Sequence, residues 1–186
     1  FVLFGAFLES TGAGKFFIDM AYAATGRQRG GPAKAAVLAS AGMGAISGSA
    51  IANVVTTGAF TIPLMKKAGF PAKFAGGVEA AASTGGQLMP PIMGAGAFVM
   101  ASYTSIPYST IVTVSIVPAI LYFLSVAFIV RIEAVKYQVG DGVDLVVNKG
   151  KLISGGLAFV IPLAVMIYLL MTGVTPSYAA SWAIAT

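Results

Sequence analysis

An all-α polytopic membrane protein is the fold class this sequence predicts, on three observations. The 186 residues are 58% hydrophobic and only 9% charged, with a mean hydropathy of +0.90, a balance foreign to a soluble domain of this size. The charges are segregated, since residues 80–130 and 152–186 carry none. Two long uncharged stretches are each broken near the middle by Gly, Ser, Asn or Pro. That pattern predicts a re-entrant helical hairpin followed by a discontinuous transmembrane helix.

Residues 1–34 start apolar (FVLFGAFL) and then acquire Glu9, Lys15 and Asp19. They read as the end of a spanning helix, an interfacial helix and a basic cytoplasmic loop. Lys15 and Asp19, four apart, can pair on one helical face. Residues 35–65, AAVLASAGMGAISGSAIANVVTTGAFTIPLM, hold no charge. As one helix they would reach about 46 Å, beyond a hydrocarbon core of about 30 Å. Two short helices meeting at a tip near residues 47–53, SGSAIAN, fit that thickness. Residues 66–105 give a second basic loop and a helix broken near residues 85–91, GGQLMPP, where Pro90 and Pro91 lack N–H donors and Gly85 and Gly86 weaken the preceding turn. A lone proline is commonly only a kink, but a doubled proline after a glycine pair, next to another polar break, is not. Residues 106–137 form a transmembrane helix with Pro118 inside, 138–151 a cytoplasmic loop, and 152–186 a further transmembrane helix with Pro162 inside and the start of the next.

Loop charge favours the hairpin. Both 25–34 and 66–73 are basic, and a full crossing of 35–65 would put them on opposite sides of the membrane. A re-entrant hairpin keeps both cytoplasmic, and the two crossings that follow return Arg131, Lys136, Lys149 and Lys151 to that side, as the positive-inside rule requires. The net charge of +5 is then loop charge and does not point to nucleic acid. With no Cys and no His, thiol redox chemistry and imidazole catalysis are absent, as are the usual zinc ligands. The chain opens on Phe1 and stops inside an apolar run, so it reads as a fragment, and the lack of a leader carries no meaning.

Broken helix ends leave carbonyls on one side and N–H groups on the other. Carbonyls with Ser, Thr and Asn oxygens suit a hard monovalent cation such as Na+, and free N–H groups suit a carboxylate. The first break offers Ser47, Ser49, Asn53, Thr56 and Thr57, and the second offers Ser83, Thr84 and Gln87, with Pro90 at its edge. None carries formal charge, which argues against a divalent metal. Helix-to-helix packing competes for the same groups, above all at Thr56 and Thr57, and Gly44 and Gly48 have the spacing of a close-packing motif. Thr56, Thr57, Gln87 and Pro90 are the substrate-side candidates. Glu79, the single carboxylate within a membrane stretch proper, is six residues beyond Lys73. It reads either as an interfacial partner of Lys73 or Lys67 or as a proton relay.

The segments FGAFLESTGAGKFFIDMA, RGGPAKAAVLASAGMGAISGSAIANVVTTGAFTIPLMKKAGF and FAGGVEAAASTGGQLMPPIMGAGAFVM together resemble the large membrane subunit of tripartite ATP-independent periplasmic (TRAP) transporters, nearest the permeases that fuse small and large subunits. The resemblance covers residues 1 to about 137 well and the remainder more loosely. It implies one repeat half of an ion-transporter-like elevator fold in a bacterial or archaeal inner membrane. It further implies sodium-coupled symport of organic acids delivered by a periplasmic solute-binding protein, with Na+ as the coupling ion and no other cofactor. Carried over by position, its first ion site nominates Ser47, Gly48, Ser49 and Asn53, facing Ser83, Thr84 and Gly86. The chain departs from the family at Asn53, where many large subunits have Asp.

Other classes fit less well. A channel would use a re-entrant loop as a filter, but filters repeat one loop around an axis, whereas two different breaks adjoin here. An intramembrane enzyme would need a catalytic motif or a midplane carboxylate pair, and none is present. A purely structural subunit would not need interrupted helices. No Arg lies in a membrane stretch to clamp a carboxylate, so the substrate acid is not named by the sequence.

Overall fold

The computed structural model describes residues 10, 12–26, 28–139 and 149–185. Among the described residues eight α-helices form: α1 (Ala13–Thr25), α2 (Gly31–Ser47), α3 (Ala50–Lys67), α4 (Ala72–Gly85), α5 (Ala95–Thr104), α6 (Tyr108–Lys136), α7 (Lys149–Met171) and α8 (Pro176–Ala185), with a 3-10 turn at Gly86–Leu88 between α4 and α5. The fold is all-α, and no strand occurs among the described residues.

The centre of the molecule is α2. It carries Ala, Gly and Ser on nearly every side, and Ala33, Ala36, Ala39, Ser40, Met43 and Gly44 are all buried. A helix of small residues admits neighbours at close range, and α1, α3, α4, the 3-10 turn and α6 all pack on it. At Gly44 the approach is backbone to backbone. A Cβ on Gly86 would stand 2.8 Å from Gly44 Cα, so neither glycine tolerates a side chain.

The α2–α3 pair is an antiparallel hairpin, cross-tied where Asn53 Nδ2 donates to Ser40 O at 2.8 Å. Its arms are about 26 Å and 27 Å long. One apolar cluster joins Ala33, Ala36 and Val37 of α2, Met65 of α3, Ala75, Val78 and Ala82 of α4, and Phe123, Val130 and Ala134 of α6. A second joins Met43, Ile46, Ile92, Met93, Ala97 and Tyr108 to Phe159 and Met166 of α7. Phe98 and Tyr108 stack at 4.5 Å, fixing α5 against α6. Among the described residues Tyr108–Lys136 is the helix long and apolar enough to cross a membrane alone, and Phe159–Met171 is a shorter apolar stretch of α7. The α6 side chains Val117, Leu121, Leu124, Phe128 and Ile132 are exposed.

Some expected boundaries shift. Gly31, Pro32 and Lys34 belong to α2 rather than to a basic loop, because proline is accommodated in a helix's first turn. Lys149 and Lys151 are already helical. Residues 1–9, with Glu9, and most of the loop 138–151 lie outside the described residues. Lys15 and Asp19 form no ion pair; the pair found among the described residues is Lys136–Glu133, at 3.2 Å.

Candidate functional site

The first interruption is two residues long. Helix α2 stops because Gly48 adopts φ 60°, ψ 5°, a left-handed conformation that glycine takes without Cβ strain. Ser49 is extended, and its Oγ accepts from Ala52 N at 3.3 Å, capping α3. So short a turn leaves orphan groups. Gly44 O accepts from Gly48 N and Ala45 O from Ile92 N, at 3.0 and 3.2 Å, but no described backbone N–H donates to the carbonyls of Ile46 or Ser47. The N–H groups of Ala50 and Ile51 likewise find no described backbone acceptor.

The second interruption, residues 89–94, begins where Pro90 and Pro91 can supply no ladder donors. Its shape is held from outside. Gly94 N donates to Gln87 O at 2.8 Å, and the Tyr108 hydroxyl lies 2.5 Å from Ile92 O and 3.0 Å from Pro91 O. Helix α5 then starts at Ala95 after an extended Gly94 with no side-chain cap. The two breaks touch, since a Cβ on Gly48 would collide with the Met93 carbonyl.

Between them lies a cavity of about 890 Å³, lined by Ser47, Gly48 and Ser49 of the tip, Gln87 and Ala95 of the second break, and Tyr108. Ala50 and Ile51, the first residues of α3, also line it. Two helix N-termini and one helix C-terminus therefore open on a single space. The former favour an anion, and the free carbonyls of the latter favour a cation.

A second polar centre lies within the helix packing, away from this cavity. Glu79 is 0% exposed. Its Oε1 accepts from Ser40 Oγ at 3.2 Å, from Ser83 Oγ at 3.1 Å and from Thr57 Oγ1, and its Oε2 accepts from Thr61 Oγ1. The Thr57 and Thr61 hydroxyls also reach the carbonyls of Asn53 and Thr57, at 2.7 and 3.0 Å. Asn53 joins the cluster, its Oδ1 3.3 Å from Thr57 Oγ1. Three helices thus meet on one carboxylate through neutral hydroxyls. This corrects the expectation of an interfacial Glu79 paired with Lys73 or Lys67: both lysines are exposed and form no ion pair with it.

The residues singled out from sequence therefore divide. Ser47, Gly48, Ser49 and Gln87 line the cavity. Asn53, Thr57 and Ser83 are fully buried in the Glu79 cluster. Gly86 is buried against Gly44, with Asn53 Nδ2 beside it. Thr84 is exposed, its hydroxyl turned back to Ala80 O at 2.7 Å, and Thr56 packs against Gly14 of α1. Pro90 is half-buried and does not line the cavity.

The whole chain, residues 1–186, matches the family model described as "Tripartite ATP-independent periplasmic transporter, DctM component". The chain belongs to this family. Among similar proteins, the C4-dicarboxylate TRAP transporter large permease protein DctM of Pseudomonas aeruginosa is 36% identical over 72% of this chain and 31% of its own length. The protein of the same name from Rhodobacter capsulatus is 41% identical over 49% of this chain and 21% of its own length. The 2,3-diketo-L-gulonate TRAP transporter large permease protein YiaN of Escherichia coli is 32% identical over 49% and 21% respectively. The chain thus spans less than a third of the length of these relatives.

Within this DctM-family chain, sequence reasoning missed Ser40, Thr61, Ala95 and Tyr108. A signal existed for one of them, Thr61. Asn53, Thr57 and Thr61 recur every four residues, one polar stripe on a helix whose other residues through Met65 are apolar or small except Thr56, and Glu79 and Ser83 repeat that spacing on α4. Ser40 needs the hairpin register, and Tyr108 needs the fold, since its partners stand 16 and 17 residues earlier.

Proposed function

We propose that the chain is part of the multi-pass inner-membrane permease of a sodium-coupled secondary transporter that takes up organic acids delivered by a periplasmic solute-binding protein. The hairpin α2–α3 is re-entrant in this reading, and the broken helix α4–α5 is its partner in an elevator-type moving body. One observation carries it: the orphaned carbonyls of Ile46 and Ser47, the free N–H groups of Ala50 and Ile51 at the start of α3 and the uncapped N-terminal turn of α5 flank one cavity. A cation held by the carbonyls completes a site for a carboxylate at the helix N-termini, so each ligand raises the affinity for the other. With both bound, less net charge crosses the bilayer, which lowers the barrier to movement. C4-dicarboxylates, named for two of the relatives, are the first acids to test. The reading needs no catalytic residue.

A second reading, proton coupling, is favoured by the full burial of Glu79 without a cationic partner. One experiment separates the two. The full-length parent is reconstituted in proteoliposomes with its binding protein and labelled acids, under inward sodium, inward proton or no gradient. Sodium coupling predicts uptake that needs sodium and the binding protein and falls at least tenfold in Ser49→Ala. Uptake driven by protons and abolished in Glu79→Gln would transfer coupling to the buried cluster and refute the tip assignment.

A further inference from the structure

At the opposite end of the bundle from the hairpin tip, a recess of about 530 Å³ is lined by Gln28, Lys34, Leu124, Ala127, Phe128 and Arg131. Its chemistry is divided. Lys34, in the first turns of α2, and Arg131, near the end of α6, bring two positive charges to one wall. Leu124, Ala127 and Phe128 continue one to two turns back along α6 as an apolar floor, and Phe128 is 67% exposed.

Among the described residues no acid lines the recess. Glu133, two residues beyond Arg131, points elsewhere on the helix, as residues two apart do, and holds Lys136 at 3.2 Å. Lys34 Nζ donates to Gln28 Oε1 at 2.9 Å, which leaves two ammonium protons and the Gln28 amide N–H groups free to donate further. Arg131 forms no ion pair among the described residues. Burial first, and the Arg131 charge second, lower the Lys34 amine from its ordinary value. Two like charges facing each other over an apolar floor match an anionic head attached to hydrocarbon, as in a phospholipid.

We propose that this recess binds the phosphate headgroup of an anionic phospholipid, held by Lys34, Arg131 and the Gln28 amide, with an acyl chain along Leu124, Ala127 and Phe128. The site rests on the orientation given above, in which residues 25–34 and the end of α6 face the cytoplasmic leaflet. There each basic side chain contributes about 1 kcal/mol toward anionic lipid, close to fivefold in affinity. Lipid in this position would tie α2 to α6 at their membrane-surface ends.

The test uses the full-length parent in nanodiscs of phosphatidylcholine with added phosphatidylglycerol, and reads phosphatidylglycerol retained after extraction by native mass spectrometry. It does not depend on uptake, so it fails separately from the transport reading. Retention is expected to fall about fivefold in Lys34→Gln and in Arg131→Gln, more in the double variant, and not in Lys136→Gln, which removes one exposed charge from the same helix. The single variants suffice should the double variant not fold. Equal retention in wild type and in both single variants, or an equal loss in Lys136→Gln, overturns the site. Displacement of the lipid by millimolar inorganic phosphate would show a free-phosphate site and overturn the lipid as occupant.

Discussion

Gly48→Val is expected to pull the two helix breaks apart and to destabilise the protein by about 2–4 kcal/mol. Two causes add. A β-branched residue in a left-handed conformation costs about 1–3 kcal/mol, and Gly48 sits at φ 60°. The new Cβ also collides with the Met93 carbonyl, so the tip must retreat and lose the Ile92 N to Ala45 O hydrogen bond, worth about 1 kcal/mol. Gly69 separates the causes. It has φ 104° but nothing within 4 Å of its Cβ position, so Gly69→Val shows the backbone cost alone. Melting of the full-length parent in detergent should fall clearly further for Gly48→Val than for Gly69→Val. Equal losses would mean that the contact between the breaks contributes nothing.

The other large effect is at Glu79. Its replacement by alanine removes the acceptor shared by four hydroxyls and leaves a hole where three helices meet. Not all of the network is lost, because Thr57 and Thr61 retain Asn53 O and Thr57 O as acceptors, and Ser40 retains Thr57 Oγ1 at 3.3 Å. Ser83 loses the carboxylate it bonds at 3.1 Å. The cavity and the lost bonds together predict about 2–4 kcal/mol for Glu79→Ala. Glu79→Gln fills the space and keeps an acceptor toward Ser40, Thr57 and Ser83, while its amide donates to Thr61 Oγ1, so its cost stays near 1 kcal/mol. Equilibrium melting of the two variants tests the order. Equal losses would show that the carboxylate does not hold the hairpin to α4.

Glu79 also marks the limit of what the sequence discloses. Six residues separate it from Lys73, a distance that suggests pairing along the chain. On a helix those six residues turn the side chains about 120° apart, so Glu79 faces α2 and α3 while Lys73 faces outward. The same rotation separates neighbours that look alike: Ser83 is buried and Thr84, about 100° further round, is exposed. The helical class was legible because it follows from composition and length, which need no register. The positions of the interruptions were legible in kind, since Gly48 and the Pro90, Pro91 pair carry local backbone consequences. How the breaks face each other was not, because it depends on the close approach of Gly44 to Gly86 and on the long reach of Tyr108 to Ile92.

In the proposed function the two breaks enclose one ligand site. The 186 residues contain no cysteine, so single cysteines placed in them report cleanly. Ala95, exposed and lining the cavity at the start of α5, is one probe; Thr84, exposed but outside the cavity, is the control. The measurement is the rate of thiol alkylation of Ala95→Cys and Thr84→Cys in the full-length parent, any cysteines elsewhere replaced, with and without sodium and a panel of organic acids. A shared site predicts that sodium with the transported acid slows labelling at position 95 several-fold and leaves position 84 unchanged. Unchanged labelling at position 95 with every combination that supports uptake would place the ligands elsewhere and rule out a shared site between the breaks.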